Sequence, residues 1–281
     1  MMTLKTNWKI ISMMEVLVNK KLIIFSLSAA ILLCIGILLF TIQAKQKEQI
    51  AKEPPSLESL QVKYASITPK LWGEKMEGIT SLLPSESSPV VYLTFDACSG
   101  AYDKALIDYL SENKIEATLF INSRWIDKHE QDFLALAHNP LFSIQNHGTL
   151  HRPLSVNGKS IYNIKGTDSI QGVYNEIMGN DRRIFKLTGK HPRYFRSGTA
   201  YYDEVAVSIA KDLGYEIGGF DVLGDGGATF SKEKIIKQVK KVKNGSILIY
   251  HFNKPKSETL AGLKEVVPLL QQKGFSFKKL E

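Results

Sequence analysis

From residue 90 onward the chain repeats one local pattern, a short apolar run rich in β-branched residues that stops at an ionisable or amide side chain and is followed by a helix-like segment. VVYLTFDACSG (90–100) stops at Asp96, FSIQNHGTLHRP (142–153) at Asn146 and His147, and SILIYHFNKP (246–255) at His251, while RYFRSGTAYYD (193–203) contains Arg196. A fifth run, EIGGFDVLGDGG (216–227), carries Asp221 and Asp225 in a glycine-rich turn. The segments between them, 102–113, 127–138, 169–187, 203–213, 231–242 and 257–272, begin in several cases with Ser or Asp, as a helix N-cap does. With ATLFI at 117–121 and FSFKKL at 275–280, the pattern predicts roughly seven strands alternating with helices, hence a parallel sheet with helical crossovers. Such sheets gather the C-terminal ends of their strands on one face. Asp96, His147, His151, Arg196 and His251 are therefore expected to share one cleft.

His147 and His151 stand four apart in a segment that Gly148 and Pro153 mark as a tight loop. Imidazole is the commonest protein ligand of zinc-like metals, and two from one segment supply half of a tetrahedral shell. An isolated pair at this spacing reads as two polar loop residues. Its place at a strand end, in company with Asp96, Arg196 and His251, makes a metal site the reading to pursue.

The chain has 281 residues, room for one domain of about 200 residues and an appendage. Residues 22–42 contain no charge and as a helix span about 30 Å, one bilayer core. No small-x-small cleavage site closes the run, so it reads as an uncleaved signal anchor rather than a signal peptide. Lys5, Lys9, Lys20 and Lys21 before it, against Lys45, Lys47 and Lys52 after it, point to a cytoplasmic N-terminus (1–21) and an extracytoplasmic C-terminal domain at the surface of a bacterial cell membrane. Residues 43–87, rich in Lys, Glu, Gln, Ser and Pro, read as a stalk in which Leu71 and Trp72 add local packing. The only cysteines are Cys34, inside the span, and Cys98, near Asp96, which makes an internal disulfide implausible. Cys98 reads as a small buried thiol, with a nucleophile as the alternative. The net charge of +8 is scattered among acids and forms no dense basic stripe, which argues against a nucleic-acid partner.

These residues resemble the polysaccharide deacetylase family, the NodB-homology or carbohydrate esterase family 4 domain, over about 88–281. LTFDACSG resembles the family's T-F-D-D motif, and NHGTLHRP matches H-[ST]-x-x-H through His147, Thr149 and His151. FRSG resembles the motif centred on Arg, and ILIYH the strand that ends in His. The resemblance implies a distorted, incomplete (β/α) barrel and a hydrolase that removes N-acetyl groups with a divalent metal, zinc foremost. His147 and His151 would hold the metal. Asp96 would be the base, Arg196 would orient it and keep it ionised, and His251 would protonate the amine. For the carboxylate beside His251, Asp221 is the first candidate and Asp225 the second.

The chain departs from the family's pattern where the second acid of T-F-D-D, normally a metal ligand, is Ala97. Asp225 is the candidate to complete the shell; another oxygen, a shift of Asp96 to ligation, or weak or absent metal are the alternatives. Ser197-Gly198-Thr199 replaces the usual Pro and aromatic of the third motif, and the fourth lacks its Trp, so Tyr201 and Tyr202 become candidates for aromatic surface. The expected substrate is an N-acetylated envelope glycan, most of all peptidoglycan. The competing readings are a metal-independent amide or cyclic imide hydrolase and a non-catalytic glycan-binding descendant.

Overall fold

The computed structural model describes residues 54–281; the segment 1–21 and the expected span at 22–42 lie outside the described residues. Among the described residues no helix is long and apolar enough to cross a membrane. Among the described residues nine strands form one sheet: β1 (Ile79–Thr80), β2 (Val90–Ala97), β3 (Ala117–Ile121), β4 (Phe142–Asn146), β5 (Tyr194–Phe195), β6 (Glu216–Gly218), β7 (Val222–Leu223), β8 (Ile247–His251) and β9 (Ser276–Lys278). The order is β1-β6-β5-β4-β3-β2-β8-β7, with β9 paired to the start of β2, and every pairing is parallel.

That order requires curvature. β6 and β7 lie near opposite edges, yet only Gly219, Phe220 and Asp221 join them. In a flat sheet the six intervening steps would separate them by about 29 Å at ~4.8 Å per strand. The link reaches on the order of 14 Å. The sheet therefore curls toward closure, as the distorted and incomplete (β/α) barrel implied by the family resemblance does.

Among the described residues the α-helices are α1 (Leu57–Tyr64), α2 (Lys104–Glu112), α3 (Ser123–Ile126), α4 (Glu130–His138), α5 (Ile170–Thr188), α6 (Glu204–Asp212), α7 (Lys232–Gln238) and α8 (Thr259–Gln272). Ser56, Asp103, Ser169, Asp203 and Ser231 each accept a first-turn backbone N–H, so the Ser and Asp start signals act as caps. All eight residues of β2 are buried, as a central strand covered on both faces must be. Val91, Leu93, Phe95 and Ala97 face the outer core beneath the helices, whereas Thr94 and Asp96 face the barrel interior.

The expected stalk at 43–87 is corrected from residue 55 onward, where the folded unit begins. Leu60 and Tyr64, four apart on α1, bury against the core that α5 and α6 cover. At ~1.5–3 kcal/mol for each large apolar side chain buried, this suffices to dock a two-turn helix. Gly73 then pairs with Tyr202, and β1 adds to the sheet edge through Ile79–Ile217 and Thr80–Gly218. The polar composition of 43–87 masks this short stripe.

Candidate active site

Asp96 and His251 are direct neighbours across the β2–β8 ladder, at the C-terminal ends of both strands. Arg196, one residue past β5, lies fully buried inside the barrel. Its Nε donates to Gly218 O (2.8 Å), its Nη2 to Gly219 O (2.9 Å), and its Nη1 to Thr94 Oγ1 (2.9 Å) and Asp96 Oδ1 (2.7 Å). The guanidinium lies over the Phe120 ring, 4.1 Å from its centroid. A buried arginine with its donors so placed is a fixed positive charge. Burial pushes the Asp96 carboxyl up, but Arg196, His147 and His251 outweigh it and hold the group below the usual carboxylate range.

The His147–His151 loop is wired from all sides. The Asn146 side chain accepts from Gly148 N (2.9 Å) and donates to Ile177 O (2.9 Å), and the Asn122 amide donates to His147 O (2.8 Å) and Gly148 O (2.7 Å). Thr149 Oγ1 bonds Asn175 O and Glu176 O, so this threonine fixes the loop. The Glu176 carboxylate accepts Leu150 N at 3.0 Å and Arg152 N at 3.1 Å. It clamps the turn in which His151 takes a positive φ of 62°, a conformation uncommon outside glycine. Gly198 sits so near that a Cβ there would lie 2.4 Å from the His151 carbonyl carbon. Glu176 was missed at the level of sequence. Its signal was a carboxylate on the buried face of α5, with Val173, Ile177 and Ile184.

The fully buried His147 pairs its Nδ1 with Arg196 O (2.9 Å), an acceptor that requires the proton there and turns the Nε2 lone pair toward the site. Nε2 stands 3.7 Å from Asp96 Oδ2 and 3.6 Å from Cys98 Sγ. The His151 ring meets the His147 ring edge-on at 5.1 Å, and its Nε2 is buried with no hydrogen-bond partner. The ligand atoms of Cys98, His147 and His151 all lie within 4.8 Å of one another. Tetrahedral zinc places its donors roughly 3.5 Å apart, so this set fits such a cation with a small closure. Burial raises the Cys98 thiol, but the hydrogen-bonding histidines around it, His147 first, outweigh burial and bring it well below its ordinary value. Cys98 is partly rather than fully buried and lies beside both histidines.

His251 pairs through Nδ1 with Asp225 Oδ1 at 3.0 Å and donates its backbone N–H to Asp225 Oδ2 at 2.7 Å. Thr259 Oγ1 also reaches Oδ2, at 3.1 Å. Burial disfavours the imidazolium, yet the Asp225 carboxylate outweighs burial and raises His251 well above the ordinary value. Two expectations are corrected here. Asp225 is not the third metal ligand, because both its oxygens serve His251 and Thr259. Asp221 is not the partner of His251, since its carboxylate accepts Ser246 Oγ (2.8 Å) and Ile247 N (2.9 Å) at the far end of β8. Four strand residues separate those ends by about 13 Å.

Beside Asp96 and His251 opens a cavity of about 380 Å³, lined also by Tyr162, Phe220, Phe230 and Glu74, among others. Its mostly apolar wall with a few convergent polar groups suits a small-molecule or sugar moiety. Tyr201 packs against Tyr162 and Trp72, with centroids at 5.7 Å in each case, whereas Tyr202 is core, its hydroxyl accepting Ser197 N. Glu74, Tyr162 and Phe230 reach the cavity from segments that carry no motif.

The sequence model of the polysaccharide deacetylase family matches residues 84–218 of the chain. The chain is 25% identical over 196 residues to a peptidoglycan-N-acetylglucosamine deacetylase of Bacillus cereus, covering 67% of this chain and 84% of that one. Its fold is similar to that of a family 4 carbohydrate esterase pseudoenzyme of Bacillus anthracis (TM-score 0.60, 18% identity, 77% of this chain and 69% of that one). It is also similar to Bacillus subtilis PdaA, a family 4 carbohydrate esterase (TM-score 0.58, 22% identity, 81% of this chain and 90% of that one). One fold thus accommodates an esterase and a pseudoenzyme, and the side chains at the site carry the functional argument.

Proposed function

We propose that the protein removes N-acetyl groups from a cell-envelope glycan, foremost peptidoglycan, by general acid/base hydrolysis with a divalent cation held by His147 and His151. The observation that carries the reading is the pair of ion-paired groups at one cavity, Asp96 2.7 Å from Arg196 Nη1 and His251 Nδ1 3.0 Å from Asp225 Oδ1. When bound, the cation would polarise the acetyl carbonyl and acidify water. Asp96 takes the proton of the attacking water, whose oxygen adds to the carbonyl carbon. His251 gives its proton to the nitrogen as the C–N bond breaks, releasing acetate and a free amine. Arg196, locked by four hydrogen bonds, holds Asp96 in place. The deacetylase of Bacillus cereus supports the choice of glycan. The uncharged 22–42 run supports an anchor that keeps the domain outside the membrane, within reach of the wall.

The test is acetate release from N-acetylated glycans. Positioned proton transfer is worth about 10²- to 10⁴-fold, so Asp96→Asn and His251→Ala should each cost at least ~10² while circular dichroism stays native. Retained activity in both variants would overturn the assignment, and a wild type silent on every such glycan would favour a binding module. Activity that survives loss of both His147 and His151 would favour a metal-independent amide hydrolase. Protease added to wall-stripped cells should remove the domain and spare the N-terminus; a protected domain would reverse the orientation.

A further inference from the structure

We infer that Cys98 is the third protein ligand of the cation, in place of the carboxylate missing at Ala97, so that the centre is a Cys-His-His site selective for zinc-like metals. The inference rests on the proposed metal-holding role of His147 and His151. Ala97 is wholly buried, belongs to the outer core with Phe95 and Leu93, and has no donor atom. Cys98, the next residue, projects toward the cluster, and its Sγ lies 3.6 Å from His147 Nε2, close to the separation of two donors on one tetrahedral zinc. Of the two acids near at hand, Asp225 is spent on His251 and Thr259, and Asp96, whose Oδ2 lies 3.7 Å from His147 Nε2, is held by Arg196 and assigned to the base in the proposed function.

Two further features favour a ligand role. The His151 Nε2 is buried without a partner, and a buried polar atom so placed costs free energy unless something fills its lone pair. The orientation of His147 is set by Arg196 O, the outer-shell arrangement that metal-bound histidines usually show. A thiolate also brings the same single negative charge as the carboxylate it would replace, so a two-histidine site keeps its net charge. It changes the softness of the shell. Thiolate and imidazole together favour Zn²⁺ and Co²⁺ over Mg²⁺, Ca²⁺ and Mn²⁺, which prefer all-oxygen ligands.

The full-length protein in detergent, stripped of metal and reloaded with Co²⁺, should bind one equivalent and show the near-ultraviolet charge-transfer absorption of a thiolate–cobalt bond. Cys98→Ser should lose that band and bind Zn²⁺ more weakly by at least the roughly 10- to 100-fold that loss of an outer-shell partner costs. Cys98→Asp should regain much of the affinity without the band. Should Cys98→Ser not fold, alkylation of the Cys98 peptide in the wild type, followed by mass spectrometry, replaces it, with Zn²⁺ expected to slow the reaction at least tenfold. Cobalt bound without the band, unchanged zinc affinity in Cys98→Ser, or no protection by zinc would each overturn the inference and leave the deacetylase reading standing. Alkylation that abolishes acetate release while metal stays bound would also overturn it, in favour of a nucleophilic thiol. A wild type that releases acetate yet takes up no metal would overturn the inference together with the metal half of the proposed function.

Discussion

Replacing Gly198 with alanine tests whether the close approach of the Arg196 loop positions His151. The new Cβ would lie 2.4 Å from the His151 carbonyl carbon and 2.5 Å from both its Cγ and its carbonyl oxygen. Ordinary carbon contacts fall at about 3.5–4.0 Å, so one side must recede by roughly 1 Å. Two of the three atoms are backbone, in a turn held by Glu176 and Asn146, so no flexible side-chain end is free to swing away. Overpacking of this kind costs about 1–3 kcal/mol, a few degrees in Tm for a domain of this size. The effect on the site is larger, because a misplacement of about 1 Å can reduce catalysis ~10²-fold. We expect Gly198→Ala to fold, to bind Zn²⁺ at least tenfold more weakly in competition with a chromogenic chelator, and to release acetate ~10²-fold more slowly. Gly189→Ala serves as the control: its φ of 70° makes alanine strained, but a Cβ there meets nothing within 4 Å. It should lower Tm and leave metal and rate untouched. A Gly198→Ala variant within twofold of wild type in both would refute the claim that this contact sets the position of His151.

Asp225→Asn should move the alkaline limb of the pH–rate profile to lower pH. His251 acts only while protonated, and without the carboxylate that raises it, burial lowers the pH at which its proton is lost; the acid limb, set by Asp96, should stay in place, as the pH dependence of kcat/KM would show. Glu176→Gln replaces charge-assisted acceptors worth about 1.5–3 kcal/mol each, so thermal unfolding should fall by several degrees and zinc affinity by about tenfold as His151 leaves its positive φ. Leu60→Ala, in the segment that reads as a stalk, should cost about 2–5 kcal/mol in chemical denaturation, whereas a true stalk residue would cost nothing measurable.

Much of the architecture is legible in sequence because the strands are buried on both faces and punctuated by caps. The six helix segments expected from the Ser, Asp and apolar spacing all form, with ends shifted by a few residues. What escapes notice is short or compositionally hidden. β1 and β7 have two residues each, too few for any period to register, yet β1 and α1 draw the segment before residue 88 into the domain. Cys98 is equally hard to assign, since a single thiol carries no pattern until the loop of His147 and His151 folds over it.

The case of Asp221 and Asp225 shows what register adds to composition. Both acids lie in one glycine-rich turn, both are plausible neighbours of His251, and nothing local separates them. β7 and β8 pair in parallel with Val222 opposite Leu248 and Leu223 opposite Ile249, a constant offset along the ladder. The same offset carries Asp221 to Ile247 and Asp225 to His251, and each carboxylate accepts the backbone N–H of the residue it meets. One acid therefore secures the beginning of β8, and the other holds the imidazole at its end. Because β8 is held in register by β2, a shift of one residue in the β7–β8 pairing would leave His251 in place and carry Asp225 away from it. The short β7 strand, unremarkable in sequence, is thus what commits Asp225 to the acid rather than to the metal.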